Sequence, residues 1–113
     1  MKKRFIFTLF AVLACAFVFA HTPLLSVFDN GDGTITCEGG FSNGASAEGV
    51  EIRIEKNDKA IKLYDEKGTL LGTKAKLNKA GELTVKRPKG DFVVIFDAGP
   101  GHVVKVMSKD IEK

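Results

Sequence analysis

The stretch Val50-Glu51-Ile52-Arg53-Ile54-Glu55-Lys56 alternates without a break between aliphatic and charged side chains. A period of two puts Val50, Ile52 and Ile54 on one face of an extended segment and Glu51, Arg53 and Glu55 on the other, as in a half-buried β-strand. The same period recurs outward from it, between clusters of turn-forming residues. Toward the N-terminus, residues 42–49 are small, polar and glycine-containing and read as a loop. Residues 34–41 form a strand before it, with Ile35, Cys37 and Phe41 facing inward and Thr34, Thr36 and Glu38 outward. Residues 24–28 make a further strand, joined to it by Asp29-Asn30-Gly31-Asp32-Gly33, whose glycines supply the positive φ a hairpin turn requires.

Toward the C-terminus, residues 57–62 fit either a loop or continued pairing. Residues 63–65 and 69–77 read as a hairpin about a turn at 66–68, with Leu70 and Leu71 near its bend. A turn at 78–81 leads into 82–86, where Leu83 and Val85 face inward, and Pro88 marks another turn at 87–90. Residues 92–98 are apolar on both faces apart from Asp97, which predicts a central strand covered on both sides. Gly99-Pro100-Gly101-His102 is a tight loop before a closing strand at 103–107. About seven short strands at roughly ten-residue spacing, with no helical periodicity of useful length, predict an all-β fold. Its expected form is a single antiparallel Ig-like or transthyretin-like sandwich.

The chain has 113 residues and a formal charge of +3, which suits one small domain. Residues 1–20 hold Lys2, Lys3 and Arg4, no acidic residue, and an apolar run from Phe5 to Ala20 interrupted by Thr8. That is the charged head and apolar body of a secretory signal peptide, expected as a helix, with the sandwich domain at 21–113. Val18 and Ala20 match the small residues read before the cleavage site, so the mature chain is expected to start at His21 and to be periplasmic or secreted. Val12-Leu13-Ala14-Cys15 also loosely matches a lipobox, and the alternative is a lipoprotein anchored through Cys15. Residues 21–113 carry fourteen Lys and Arg against fourteen Asp and Glu. A neutral mature domain offers no basic field to a polyphosphate backbone, so no nucleic-acid partner is expected. The leader is short for a membrane span and no second apolar run follows it, so the mature form is expected to have no transmembrane segment.

Catalytic chemistry finds little to work with. His21 and His102 are the two histidines, no nucleophile elbow is present, and Cys37 faces the core, which points away from an enzyme. The Asp29 to Gly33 run superficially resembles a calcium loop, but Gly31 stands where a second oxygen ligand is needed and Gly40 where the bidentate Glu belongs. The sharper pair is His21 with His102. A mature N-terminal His chelates through its α-amine and Nδ1, and a second imidazole completes a three-nitrogen site suited to Cu(II) or Ni(II). Asp97 is the candidate oxygen ligand or imidazole-orienting group. The expected metal residues are therefore His21, His102 and Asp97, and the competing reading makes His21 a processing residue and His102 a polar loop residue.

The order from Gly49 to Val106 resembles carboxypeptidase regulatory-like and transthyretin-like modules: Val50-Glu51-Ile52-Arg53-Ile54, a charged hairpin, a Gly81 turn into Leu83-Thr84-Val85, then Pro88-Lys89-Gly90-Asp91-Phe92. The leader ending before His21, the Gly39-Gly40-Phe41-Ser42-Asn43-Gly44 stretch and the terminal Asp97-Ala98-Gly99-Pro100-Gly101-His102 resemble the small periplasmic accessory components of nickel and cobalt uptake transporters of the energy-coupling-factor type. That resemblance implies a divalent transition metal, nickel or cobalt, handed to a membrane transporter component; the nitrogen donors alone equally permit copper. The chain departs from some relatives in having no transmembrane helix after the domain and no His-rich tract. The second functional class is a non-enzymatic sandwich module that binds a protein partner at the cell envelope through a sheet edge or loops.

Overall fold

The structure, a computed structural model, describes residues 22–113. The expectations for the signal peptide at 1–20, for Cys15 and for His21 lie outside the described residues. Among the described residues ten strands follow one another: β1 (Pro23–Asp29), β2 (Thr34–Phe41), β3 (Glu51–Lys56), β4 (Lys59–Ala60), β5 (Leu63–Tyr64), β6 (Leu70–Gly72), β7 (Ala75–Lys76), β8 (Glu82–Lys86), β9 (Val93–Asp97) and β10 (Val103–Met107). A single 3-10 turn, Ser108–Asp110, comes after them. Among the described residues there is no α-helix, and no helix is long and apolar enough to cross a membrane.

The strands pair antiparallel. One sheet has the order β1-β2-β8; the other has the order β10-β9-β3-β4, with β7 also on β3; β5 and β6 form a separate two-stranded ribbon. The alternation read at residues 50–56 sets the register, pairing Ile52 with Phe96 and Ile54 with Val94 so that all four side chains share the inner face. The facing sheet supplies Val27, Ile35, Cys37 and Val85, and the two sets form one core in which each is 2% exposed or less. This is the antiparallel sandwich expected, with β9 central as its apolar composition requires. Ile95, on the outer face of β9, is 1% exposed. The register sets it between Arg53 and Lys105, whose long stems can cover an apolar neighbour while their charges stay in water.

The strand count departs from the expected seven because the middle of the chain is built from short pieces. Asn57 and Asp58 have φ of 52° and 64°, the left-handed pair of a tight hairpin turn, so the ambiguous 57–62 stretch turns back as β4 along β3. Residues 69–77, read as one strand, are broken at Gly72, where φ is 101°. The piece before the break pairs with β5 and the piece after it with β3. A second departure is Thr34, placed outward by alternation yet 7% exposed. Its hydroxyl donates to Asp32 Oδ1 at 2.6 Å and accepts from Asn30 Nδ2 at 3.0 Å, so the hairpin turn folds over it.

Candidate functional site

His102 ends the loop between β9 and β10. Its N–H donates to Gly99 O at 2.9 Å and its carbonyl accepts from Ala98 N at 3.0 Å, which closes the loop. Gly99 and Gly101 take φ of 109° and 79°, values that side-chain-bearing residues rarely adopt, and this explains the glycines on either side of Pro100. The half-buried imidazole places Nδ1 3.2 Å from Pro100 O. A proton on Nδ1 would be held by that carbonyl, leaving the Nε2 lone pair to face a ligand.

The ring lines a cavity of about 240 Å³ together with Phe41, Ala45 and Ala98. Phe41 also packs edge-to-face on the core ring of Phe96, with centroids 5.8 Å apart, so this wall is anchored in the sandwich. Immediately after Phe41, Ser42 N donates to Thr22 O at 2.9 Å, and Thr22 N donates to Ser42 Oγ at 3.2 Å. The chain therefore enters β1 at the same end of the sandwich as the His102 loop. Thr22 directly follows His21 in sequence.

Asp97 is employed elsewhere. Its Oδ2 accepts from Arg53 Nη1 at 2.8 Å and its Oδ1 accepts from Gly99 N at 3.0 Å, while the hydrogen-bond partner of the imidazole is Pro100 O. Arg53 also reaches Glu51 at 2.9 Å and Glu55 at 3.1 Å, forming a four-residue ion network across the outer face of β3 and β9. The guanidinium, then the Gly99 amide, hold the Asp97 carboxyl below its ordinary value of 3.8, and the three carboxylates raise the Arg53 value in turn. Asp97 thus braces the first residue of the His102 loop against the sheet. The outward charges of the strand at 50–56 were visible in sequence, but the cross-strand register that brings Asp97 to Arg53 was not.

The other candidates resolve simply. Cys37 is fully buried and burial pushes its thiol up to about 12, so at neutral pH it is an uncharged core side chain rather than a thiolate ligand. In the Asp29 to Gly33 turn, Asp29 accepts from Gly31 N at 2.8 Å and pairs with Arg87, and Asp32 accepts from both the amide and the hydroxyl of Thr34. Those carboxylates shape the turn. Among the described residues no group of three or more His, Cys, Asp or Glu side chains is gathered to hold a metal. Comparison of the chain with models of known protein families, with curated proteins and with solved structures gives no match.

Proposed function

We propose that this protein is an exported, non-enzymatic accessory that binds a divalent transition ion, nickel, cobalt or copper, and passes it to an uptake system in the membrane. The observation that carries the reading is the tie between Thr22 and Ser42 beside the Phe41 and His102 cavity. A three-nitrogen site needs the first residue of the mature chain to come close to the second imidazole, and residue 22 is already held at that end of the sandwich. The amine and Nδ1 of His21 would chelate the ion, and Nε2 of His102 would complete the set. Asp97 enters this reading as a brace for the loop rather than as a ligand. The choice of nickel or cobalt rests on the resemblance of the terminal Asp97 to His102 motif to nickel and cobalt uptake accessories.

Calorimetric titration of the processed protein with Ni(II), Co(II) and Cu(II) tests this, after intact mass has established that the chain starts at His21. A glycine inserted before His21 displaces the amine from its chelate position, and His102→Ala removes the third nitrogen. Each change is expected to weaken binding at least about tenfold, roughly the 1.4 kcal/mol that one lost ligand contact easily exceeds. Affinity must also fall as pH is lowered, because each donor coordinates only when deprotonated. Equal affinity in all three proteins, or a mass starting at an acylated Cys15, overturns the reading.

A further inference from the structure

The neutral balance of the mature domain conceals a sharp segregation of charge. Residues 59–90 carry nine Lys and Arg against three acidic residues, whereas the rest of the described chain carries five against eleven. The topology gathers this segment on one flank. β8 is the edge of its sheet opposite β1, and β4 and β7 lie on the side of β3 away from β9. The β5–β6 ribbon packs beside β8 between them, while β1 and β10 lie together on the opposite flank. The eight lysines of the segment are all exposed, and of these only Lys74 comes within ion-pair distance of a described acid, Glu51 at 3.8 Å.

Apolar side chains sit in the middle of this basic flank. Tyr64 and Leu70 are register partners across the ribbon and are 39% and 52% exposed; Leu71 beside them is 37% exposed. Lys67 lies in the ribbon turn, and Lys86 reaches it from β8, its Nζ 3.8 Å from where a Cβ on Gly68 would stand. Lys62 and Lys74 flank the base of the ribbon. Of the segment's acids, Asp65 is turned inward to accept the Lys67 and Thr69 amides and Glu82 is half-buried, which leaves Glu66 as the one exposed acid there.

We propose that the β5–β6 ribbon and its lysine surround form a docking surface for an anionic lipid bilayer. The chemistry fits that occupant: leucines enter the acyl boundary, a tyrosine sits at headgroup depth, and lysine stems lie along the apolar layer while their ammonium groups meet lipid phosphates. A second copy of the chain fits less well. The remaining acids are spread over the molecule, and three of them, Glu51, Glu55 and Asp97, are turned toward one shared hydrogen-bond partner, Arg53. This surface is independent of the His102 cavity and stands or falls without it.

Co-sedimentation of the protein with vesicles of phosphatidylglycerol and phosphatidylethanolamine, against vesicles of phosphatidylcholine, is the test. The measured quantity is the ratio of anionic to neutral partitioning of each variant relative to its parent, so the preference of a retained leader, whose Lys2, Lys3 and Arg4 themselves favour anionic lipid, is common to both and cancels. Three double variants are compared: Lys67→Glu/Lys86→Glu, Leu70→Ser/Leu71→Ser, and the control Lys105→Glu/Lys109→Glu, which makes the same change in net charge away from the flank. Thermal melting checks that each is folded. The first variant is expected to lower the ratio at least about 25-fold, fivefold for each lysine removed from the surface. The serine variant should reduce binding to anionic vesicles by a similar order, the control should stay within about twofold, and 1 M salt should abolish the preference. No preference for anionic vesicles, equal losses in the first variant and the control, or unchanged binding by the serine variant overturns the proposal. Self-association in sedimentation that Lys67→Glu/Lys86→Glu abolishes would assign the surface to a second copy and overturn it as well.

Discussion

Asp97 illustrates how one side chain changes meaning once its neighbours are known. As a lone acid in an apolar strand next to a Gly-His loop it looks like a ligand; in the structure one of its oxygens accepts from Arg53 and the other from the Gly99 amide. The consequence is a measurable acid dependence. Its folded-state value lies below the ordinary 3.8, so the ionised form favours the fold. That contribution is complete above the ordinary value and is lost as pH falls through the lower, folded one. Wild type should therefore melt higher than Asp97→Asn from about pH 7 down to about pH 5, and the gap should close below about pH 4. A gap that does not shrink at all as pH falls below about 4 would mean that Asn removes packing or loop geometry rather than a charge interaction. No such titration is expected of Cys37 near neutral pH, because its thiol is buried.

At the scale of elements, long alternating strands were legible and short ones were not. Thr34–Phe41, Glu82–Lys86 and Val103–Met107 coincide with their sequence boundaries, because apolar side chains recur at a period of two on one core face of each, interrupted in the first at Gly39. The ribbon region failed for a physical reason: residues 69–77 keep an extended pattern through Gly72, but they divide their hydrogen bonds between two partners, and sequence period carries no record of partner. Gly39 was similarly opaque. It occupies an inward position of β2 where alternation calls for a hydrophobe, and a Cβ there would stand 2.6 Å from the Phe96 ring and 2.7 Å from Leu77 Cδ1. The absent side chain is the space those two groups fill. Gly39→Ala should thus destabilise by about 1–3 kcal/mol through overpacking. Gly40→Ala next to it meets nothing within 4 Å and is expected to be close to neutral. Chemical denaturation of the two variants separates them; equal midpoints would show that the Phe96 ring yields freely.

Over the whole molecule, the parts that sequence could not reveal are those joining distant segments. Histidine and aspartate in the terminal motif were readable, as were the strands that carry them; that Thr22 is tied to Ser42 beside the His102 cavity became visible only with the sheets assembled. The C-terminus makes a second such junction. Residues after β10 show no strand pattern, yet Glu112 lies beside Phe28 as a parallel bridge, with Asp29 N donating to Glu112 O at 2.7 Å and Glu112 N donating to Val27 O at 3.0 Å. Ile111 is half-buried against the core. The tail thereby covers part of the free edge of β1, the edge through which a sandwich is most exposed to pairing with other chains. Deleting residues 111–113 removes three backbone hydrogen bonds, the two to β1 and that from Ile111 N to Ser108 O, each worth about 0.5–1.5 kcal/mol, and the contact of a half-buried isoleucine side chain, worth about half of the 1.5–3 kcal/mol of a fully buried one. The truncated protein should therefore lose about 2–6 kcal/mol of stability and, with the β1 edge uncovered, show a greater tendency to associate at high concentration. Ile111→Ala without truncation retains the backbone bonds and should cost stability without promoting association. If truncation leaves both the denaturation midpoint and the sedimentation profile unchanged, the tail does not hold β1 in solution, and its two hydrogen bonds are exchanged for water at no net cost.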